Sequence, residues 1–449
     1  MTINSILSID DVEKQASRSP SPEPSIATGA DEHLNRHSAL QPPDGPLLPT
    51  KTGSSDRWSG WLTVFGAFLA LFCSFGQLNA FGTYQSWYSN HQLSLYPPSS
   101  ISWIGSLQLW TFFFMGGPVG RLFDAYGPSP VMFFGALLLA FSMLMTSIST
   151  HYYEFLLFQG FFFGLSVASL FYPSLAAVST HFDKYRGSAL GVAAAGSGIG
   201  GVVYPIMLRQ LFSRVGYAWT VRASTLLSVA CCLVSLVTVK SKGRKKCTAW
   251  IDVKVFKDGC FMLLAIGSFF ICLGIFTPFF YITSYAEDRA FISDKTAFYV
   301  LSVMNAGGVF GRIAPAILSD RMGRFNLLIP AAFFAGLSCL TFWMFANTPV
   351  AVMAFAVVYG FLSGAFISVV TPCVAQISDI SEIGSRLGAL YTLISIPSLV
   401  GGPIAGALIQ YQRGSYTAMI GVSGASMVFG SFFILFCRLK LNREICAKV

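Results

Sequence analysis

Arg312 is the ionisable side chain set deepest in an apolar stretch of this 449-residue chain. It lies in the run 296–318, eight residues before Asp320, and eight helical residues cover about 12 Å. That depth approaches the middle of a hydrocarbon layer roughly 30 Å thick, and no His, Lys, Asp or Glu lies so far in. A cation there costs about 2.5–3.5 kcal/mol even on a lenient insertion scale, so a compensating partner is expected. Two partners fit the chemistry. The planar guanidinium can hold a ligand carboxylate through paired, charge-assisted contacts. It can also be a structural group bonded to carbonyls or to Asp320. Gly307, Gly308 and Gly311 precede it and allow a neighbouring helix to come close. Gln77, Asn79, Tyr172, Tyr281 and Asn305 are the other polar candidates inside apolar runs. Each can line a cavity or simply hydrogen-bond across helices.

Other chemistries lack their residues. The five histidines (His33, His37, His91, His151, His181) fall in the N-terminal segment or at the ends of apolar runs. They show no metal-ligand spacing, and no nucleophile motif accompanies them. No catalytic residue, metal or cofactor is expected. Of the ten cysteines, Cys73, Cys231, Cys232, Cys260, Cys272, Cys339, Cys373 and Cys437 sit in apolar runs, where they read as small packing residues. Cys247 and Cys446 lie in basic segments expected on the cytosolic side, where thiols stay reduced.

The elements that carry these residues follow from composition. The chain is 54% hydrophobic and 11% charged, against about 25% charged in soluble domains. A chain this long would otherwise divide into domains with charged surfaces, so the apolar excess calls for lipid. A membrane β-barrel needs alternating strands of about ten residues, and the apolar runs here are continuous. Twelve transmembrane helices are predicted near 61–84, 101–122, 130–149, 153–178, 188–208, 217–239, 259–285, 296–318, 326–346, 350–376, 388–410 and 416–437. Residues 1–57, rich in Ser, Pro and acidic residues, are predicted to be a disordered cytosolic tail without a signal-peptide pattern.

Charge placement orients the runs. The segment 240–258 holds seven basic residues and forms a cytosolic linker between two six-helix halves, 58–239 and 259–437, with 438–449 as a short cytosolic tail. With the N-terminus inside, eighteen Lys and Arg flank the cytosolic side and six the opposite side, so both termini are expected in the cytosol. The net charge of +9 is thus a topology signal with weak attraction to anionic lipid, and nucleic acid is not an expected partner.

The halves repeat one another. Asp124 and Asp320 are 196 residues apart, Pro173 and Pro372 are 199, and Gly191 and Gly388 are 197. Parallel repeats of this kind place a binding site between two halves near the midplane. The loop residues Gly120, Asp124 and Gly127 are matched by Asp320, Arg321, Gly323 and Arg324, and Arg186 by Arg386. Glycine permits a tight turn. A carboxylate can accept from free N–H groups at a neighbouring helix start, a contact that must break when the conformation changes. These nine residues are the expected conformational gate.

The stretch Gly120-Arg-Leu-Phe-Asp124-Ala-Tyr-Gly127-Pro128 resembles the cytosolic signature of the major facilitator superfamily. His181-Phe-Asp-Lys-Tyr-Arg186-Gly-Ser-Ala-Leu-Gly191 with Ala195-Gly-Ser-Gly-Ile-Gly200, and Asp56-Arg-Trp-Ser-Gly-Trp61, are similar to its monocarboxylate-porter family, especially the fungal branch. The resemblance covers 56–437 and implies an all-α membrane protein of two parallel six-helix repeats. It implies a monomeric plasma-membrane carrier working by alternating access on a small organic acid. Arg312 matches a substrate-linked arginine of the animal porters. Those porters place an aspartate where this chain has Gly308 and a lysine where it has Asn79, and both are linked there to proton-coupled lactate transport. The departures weigh against proton coupling and toward export of a larger organic anion of the secondary-metabolite kind. Uptake of monocarboxylates or a related nutrient is the alternative, and a non-transporting nutrient sensor is the alternative of another class.

Overall fold

Proline, glycine and capping residues divide the apolar sequence into helices. The computed structural model describes residues 54–182, 186–241, 255, 257–289, 294–378 and 383–443. The expected tail 1–57, except for its last four residues, falls outside these, as do 242–254 and 256 of the basic linker and 444–449 of the C-terminal tail. The described helices belong to one unit, Gly53–Val449, and no β-strand occurs among the described residues.

The chain crosses first as α1 (Ser54–Cys73), α2 (Phe75–Asn79) and α3 (Phe81–Asn90). The Ser74 hydroxyl donates back to the Ala70 carbonyl at the first break, a local bond that competes with the helix ladder. The second crossing is α4 (Pro98–Phe114) and α5 (Gly116–Tyr126), divided at Met115; α6 (Pro128–Ile148) is the third. The fourth is α7 (Tyr152–Phe155), a π-helical turn over Leu156–Phe162, and α8 (Phe163–Ser179). The helix α9 (Arg186–Thr238) holds two crossings, because the chain reverses at Gly216 with φ 76° and ψ 174°. The second half runs α10 (Gly259–Ile275) with α11 (Thr277–Asp288), α12 (Asp294–Met322), α13 (Arg324–Thr341), α14 (Pro349–Gln376), α15 (Ile383–Tyr411) and α16 (Thr417–Leu441).

Among the described residues, ten stretches are long and apolar enough to cross a membrane. One of them, Gly187–Thr238, folds back and counts twice, and α4–α5 supplies the twelfth. The expected gap at 209–216 is helical up to the Gly216 turn, so the fifth and sixth crossings extend beyond the apolar runs. An even number of crossings puts Ser54 and Leu441 on one side, the terminal side.

Small residues let the helices approach. A Cβ on Gly76 of α2 would lie 2.7 Å from the Gly200 Cα in α9. One on Gly364 of α14 would lie 2.7 Å from the Gly308 carbonyl in α12, and one on Gly336 of α13 2.7 Å from the Gly424 carbonyl in α16. Lipid offers no hydrophobic drive between helices, so such close packing must supply the attraction. The two halves meet where α4 and α5 face α15, α9 faces α12, and α3 faces α11. They touch toward the terminal side at Gly117 and Gly388, and toward the opposite side at Ser99 and Gly406 and through the Phe81–Phe280 edge contact at 5.3 Å.

Candidate functional site

Arg312 is 2% exposed and lies in the contact between α12 of one half and α9 of the other. Gly198 makes room for it: a Cβ there would sit 2.7 Å from Arg312 Nη1 and 2.6 Å from Val309 Cγ2. Neither Nε nor Nη1 of Arg312 has a hydrogen-bond partner among the described residues. The expected structural reading required carbonyls or Asp320; no carbonyl meets these two nitrogens, and the Asp320 side chain lies outside the described ones. A buried donor left unpaired costs about 1–3 kcal/mol, and more when charged.

Two other sequence candidates share this neighbourhood. Asn305 stands two turns before Arg312 on the same face of α12. Its Nδ2 donates to the Leu301 carbonyl at 3.0 Å, while its buried Oδ1 has no partner and lies against Gly201 of α9. Asn79 donates from Nδ2 to the Ser197 carbonyl at 3.4 Å, next to Gly198. Thus Ser197 to Gly201 of α9 forms a narrow floor touched by Asn79 from α2 and by Asn305 and Arg312 from α12.

The remaining candidates lie in other settings. Gln77 donates to Tyr84 at 3.5 Å and to Ser224 at 3.4 Å, and accepts from Ser228 at 3.2 Å, so its amide joins the first and sixth crossings within the N-terminal half. Tyr281 donates to the Gly402 carbonyl at 3.0 Å, joining α11 to α15. The Tyr172 hydroxyl is buried without a partner among the described residues, and its ring stacks on Phe112 at 5.1 Å and meets Tyr391 of the other half at 5.4 Å.

The loop residues divide by role. Gly127 (φ 83°) and Gly323 (φ 94°) both take the positive φ that side chains resist, which accounts for the repeat of the D-x-x-G pattern. Gly120 has open space around it, Asp124 is partly buried and Arg321 is exposed. The Arg186 side chain is outside the described ones. Arg324 donates to the Pro372 carbonyl at 3.0 Å, in the proline-broken part of α14. Arg386 donates to Asp258 at 2.6 Å and to the Ile377 carbonyl at 3.0 Å. Both arginines therefore brace helices within the C-terminal half.

Sequence reasoning missed Asp258. Its position one residue before an apolar run is the signal for an N-cap. It accepts from the backbone N–H of Cys260 at 2.9 Å and of Phe261 at 3.4 Å. Burial pushes its carboxyl pKa up, but the Arg386 hydrogen bond and these N–H groups outweigh it and hold the group below the ordinary aspartate value. Tyr391, Phe112, Phe113 and Phe276 were also missed, because an aromatic residue in an apolar run looks the same whether it faces lipid or the other half. On the side opposite the termini, a cavity of about 200 Å³ opens between α3, α9 and α11, lined by Trp87, His91, Arg209, Phe212 and Glu287 among others.

Arg312 is thus buried between the two repeated helical bundles, with Nε and Nη1 unpartnered among the described residues. The sequence profile of the Major Facilitator Superfamily matches residues 67–349 and 316–444. The agnestins efflux protein of Paecilomyces divaricatus is 39% identical over 425 residues, covering 91% of this chain and 95% of that one. The aspyridones efflux protein of Emericella nidulans is 35% identical over 402 residues, covering 89% and 81%. The fujikurins efflux protein of Gibberella fujikuroi is 34% identical over 435 residues, covering 96% and 91%. With the profile and the relatives matched along nearly all its length, this chain belongs to the Major Facilitator Superfamily and is a multi-pass membrane transporter.

Proposed function

We propose that this transporter exports a secondary-metabolite-like organic anion by alternating access, with Arg312 as the carboxylate-binding group. The observation that carries the reading is the guanidinium whose Nε and Nη1 are buried without a partner at the contact between the halves. A carboxylate supplies the two acceptors that this geometry lacks, and Asn305 Oδ1 and Asn79 offer polar contacts along the same floor. The efflux functions named for the relatives support the direction. The basic excess on one side supports cytosolic termini, and the plasma membrane is the membrane such export requires.

Proton-coupled uptake of a small monocarboxylate is disfavoured by the residues themselves, since Gly308 and Asn79 stand where the porters this chain resembles carry an aspartate and a lysine. The Arg386–Asp258 pair and the Arg324–Pro372 bond fit a gate that holds the C-terminal half rigid while the halves rock.

The test is flux of labelled organic acids across proteoliposomes of known protein orientation, with and without a pH gradient. Arg312→Gln should reduce transport at least thirtyfold, the equivalent of about 2 kcal/mol or more for a buried charge contact, with Arg312→Lys intermediate. Both proteins should remain monodisperse. Normal flux through a well-folded Arg312→Gln carrier would remove the binding role.

A further inference from the structure

We infer that the aromatic cluster joining the two halves is a ring-binding subsite, and that the transported anion carries a planar aromatic ring with a hydrogen-bond acceptor. The inference rests on the organic-anion reading above and names its substrate class. From the N-terminal half come Phe112 and Phe113 of α4 and Tyr172 of α8; from the C-terminal half come Phe276, between α10 and α11, and Tyr391 of α15. The Tyr172 and Tyr391 rings are 5.4 Å apart at 52°, Phe113 and Tyr391 5.8 Å apart and nearly parallel, and Phe113 and Phe276 6.0 Å apart. These ring contacts cross between parts that must separate during transport, so they break and reform in every cycle.

The backbone is arranged to bring these rings together. The division of the second crossing at Met115 is followed by Gly116 and Gly117. A Cβ on Gly116 would lie 2.8 Å from Tyr172 Cζ, and one on Gly388 of α15 would lie 3.3 Å from Gly117 Cα. One glycine therefore receives the tyrosine ring and the next receives the opposing helix. The repeat also shows an exchange of bulk. Tyr172 precedes Pro173, and at the matching place Thr371 precedes Pro372. The Thr371 hydroxyl shares a 2.8 Å hydrogen bond with Tyr391, so the C-terminal half carries its ring on the adjacent crossing.

The two hydroxyls differ in a way that points to a ligand. The Tyr391 hydroxyl is satisfied by Thr371, whereas the Tyr172 hydroxyl is buried with no partner. Leaving a buried hydroxyl unpaired is unfavourable, and a ring carbonyl or phenolate would accept a hydrogen bond from it. A ring held between the walls needs about 7 Å of separation, since each stacked contact takes roughly 3.5 Å. The rings of the cluster are closer than that, so the tyrosines occupy the ring's place until the halves part. The ligand's ring then replaces contacts the two halves make with each other.

The experiment uses the full-length carrier in proteoliposomes and four labelled acids. 2-Naphthoate and 1-adamantanecarboxylate match in charge and approximate size but differ in planarity. Anthraquinone-2-carboxylate and anthracene-2-carboxylate differ in ring carbonyls. The wild type should prefer naphthoate over adamantanecarboxylate by about tenfold in kcat/KM, and Tyr391→Leu or Tyr172→Leu should bring the ratio within about twofold. Monodisperse elution and a melting temperature close to wild type show that these variants fold. Tyr172→Phe should keep the planar preference and lose the preference for the anthraquinone. If Arg312→Gln abolishes uptake of all four acids while the tyrosine variants leave every ratio unchanged, the ring subsite is overturned and the arginine reading stands. If the acids are transported but neither Arg312→Gln nor the tyrosine variants change any rate or ratio, both fail.

Discussion

Gly198→Ala perturbs the site without removing any functional group. The added Cβ would lie 2.7 Å from Arg312 Nη1 and 2.6 Å from Val309 Cγ2, where ordinary contacts begin at 3.4 Å. The shortfalls are thus 0.7 and 0.8 Å. The guanidinium end can shift, but Val309 is β-branched and fixed at χ1 on its helix. Overpacking of this degree costs about 1–3 kcal/mol. That cost falls only on conformations in which α9 and α12 touch, so it shifts the closed state by roughly 5- to 150-fold. Spin labels at Tyr126→Cys and Met322→Cys, both exposed at the terminal side, report the separation of α5 and α12 as a distance distribution. Gly198→Ala should move that distribution to longer distances and slow flux. Gly421→Ala, where nothing lies within 4 Å, is the control. Wild-type distances together with wild-type flux in Gly198→Ala would refute the placement of Arg312 against α9.

Two further predictions concern the terminal side. Asp258→Asn or Arg386→Ala should lower the melting temperature modestly, by the equivalent of about 1 kcal/mol, because the pair is partly exposed and screened. Since the Asp258 pKa is depressed in the folded carrier, its contribution is complete above the ordinary aspartate pKa of about 3.9 and is lost as pH falls through the lower folded value. Melting curves of wild type and Asp258→Asn should therefore stay separated from neutral pH down to about pH 4 and converge only below it; convergence nearer neutrality would contradict the assignment. Gly127→Ala forces a side chain into φ 83° and should cost roughly 1–3 kcal/mol. Gly120→Ala, in open space in the same motif, should change little, and equal melting temperatures for the two would show that the turn conformation is not what the motif encodes.

The sequence alone determined the crossings, because a helix in lipid must satisfy its backbone internally and show an apolar run to do so. The repeat was equally legible in the near-equal offsets of Asp124 and Asp320, Pro173 and Pro372, and Gly191 and Gly388. Arg312 stood out because charge is rare at such depth. Whether its donors had partners was a question about other helices, and only the packing of α9 against α12 at Gly198 answered it. Asn79 and Gln77 are two residues apart in sequence and look alike there, yet one reaches Ser197 and the other joins a network with Tyr84, Ser224 and Ser228. Tyr391 was invisible because Phe and Tyr pack against lipid as readily as against protein. Arg386 was read as a gate residue from its repeat position, and the structure supplied its partner, Asp258, 128 residues away. Apolar pattern and rare charge are local properties, so one strand of text records them. The partner of a buried polar group depends on which faces of distant helices meet, and that is decided only when the two halves close on each other.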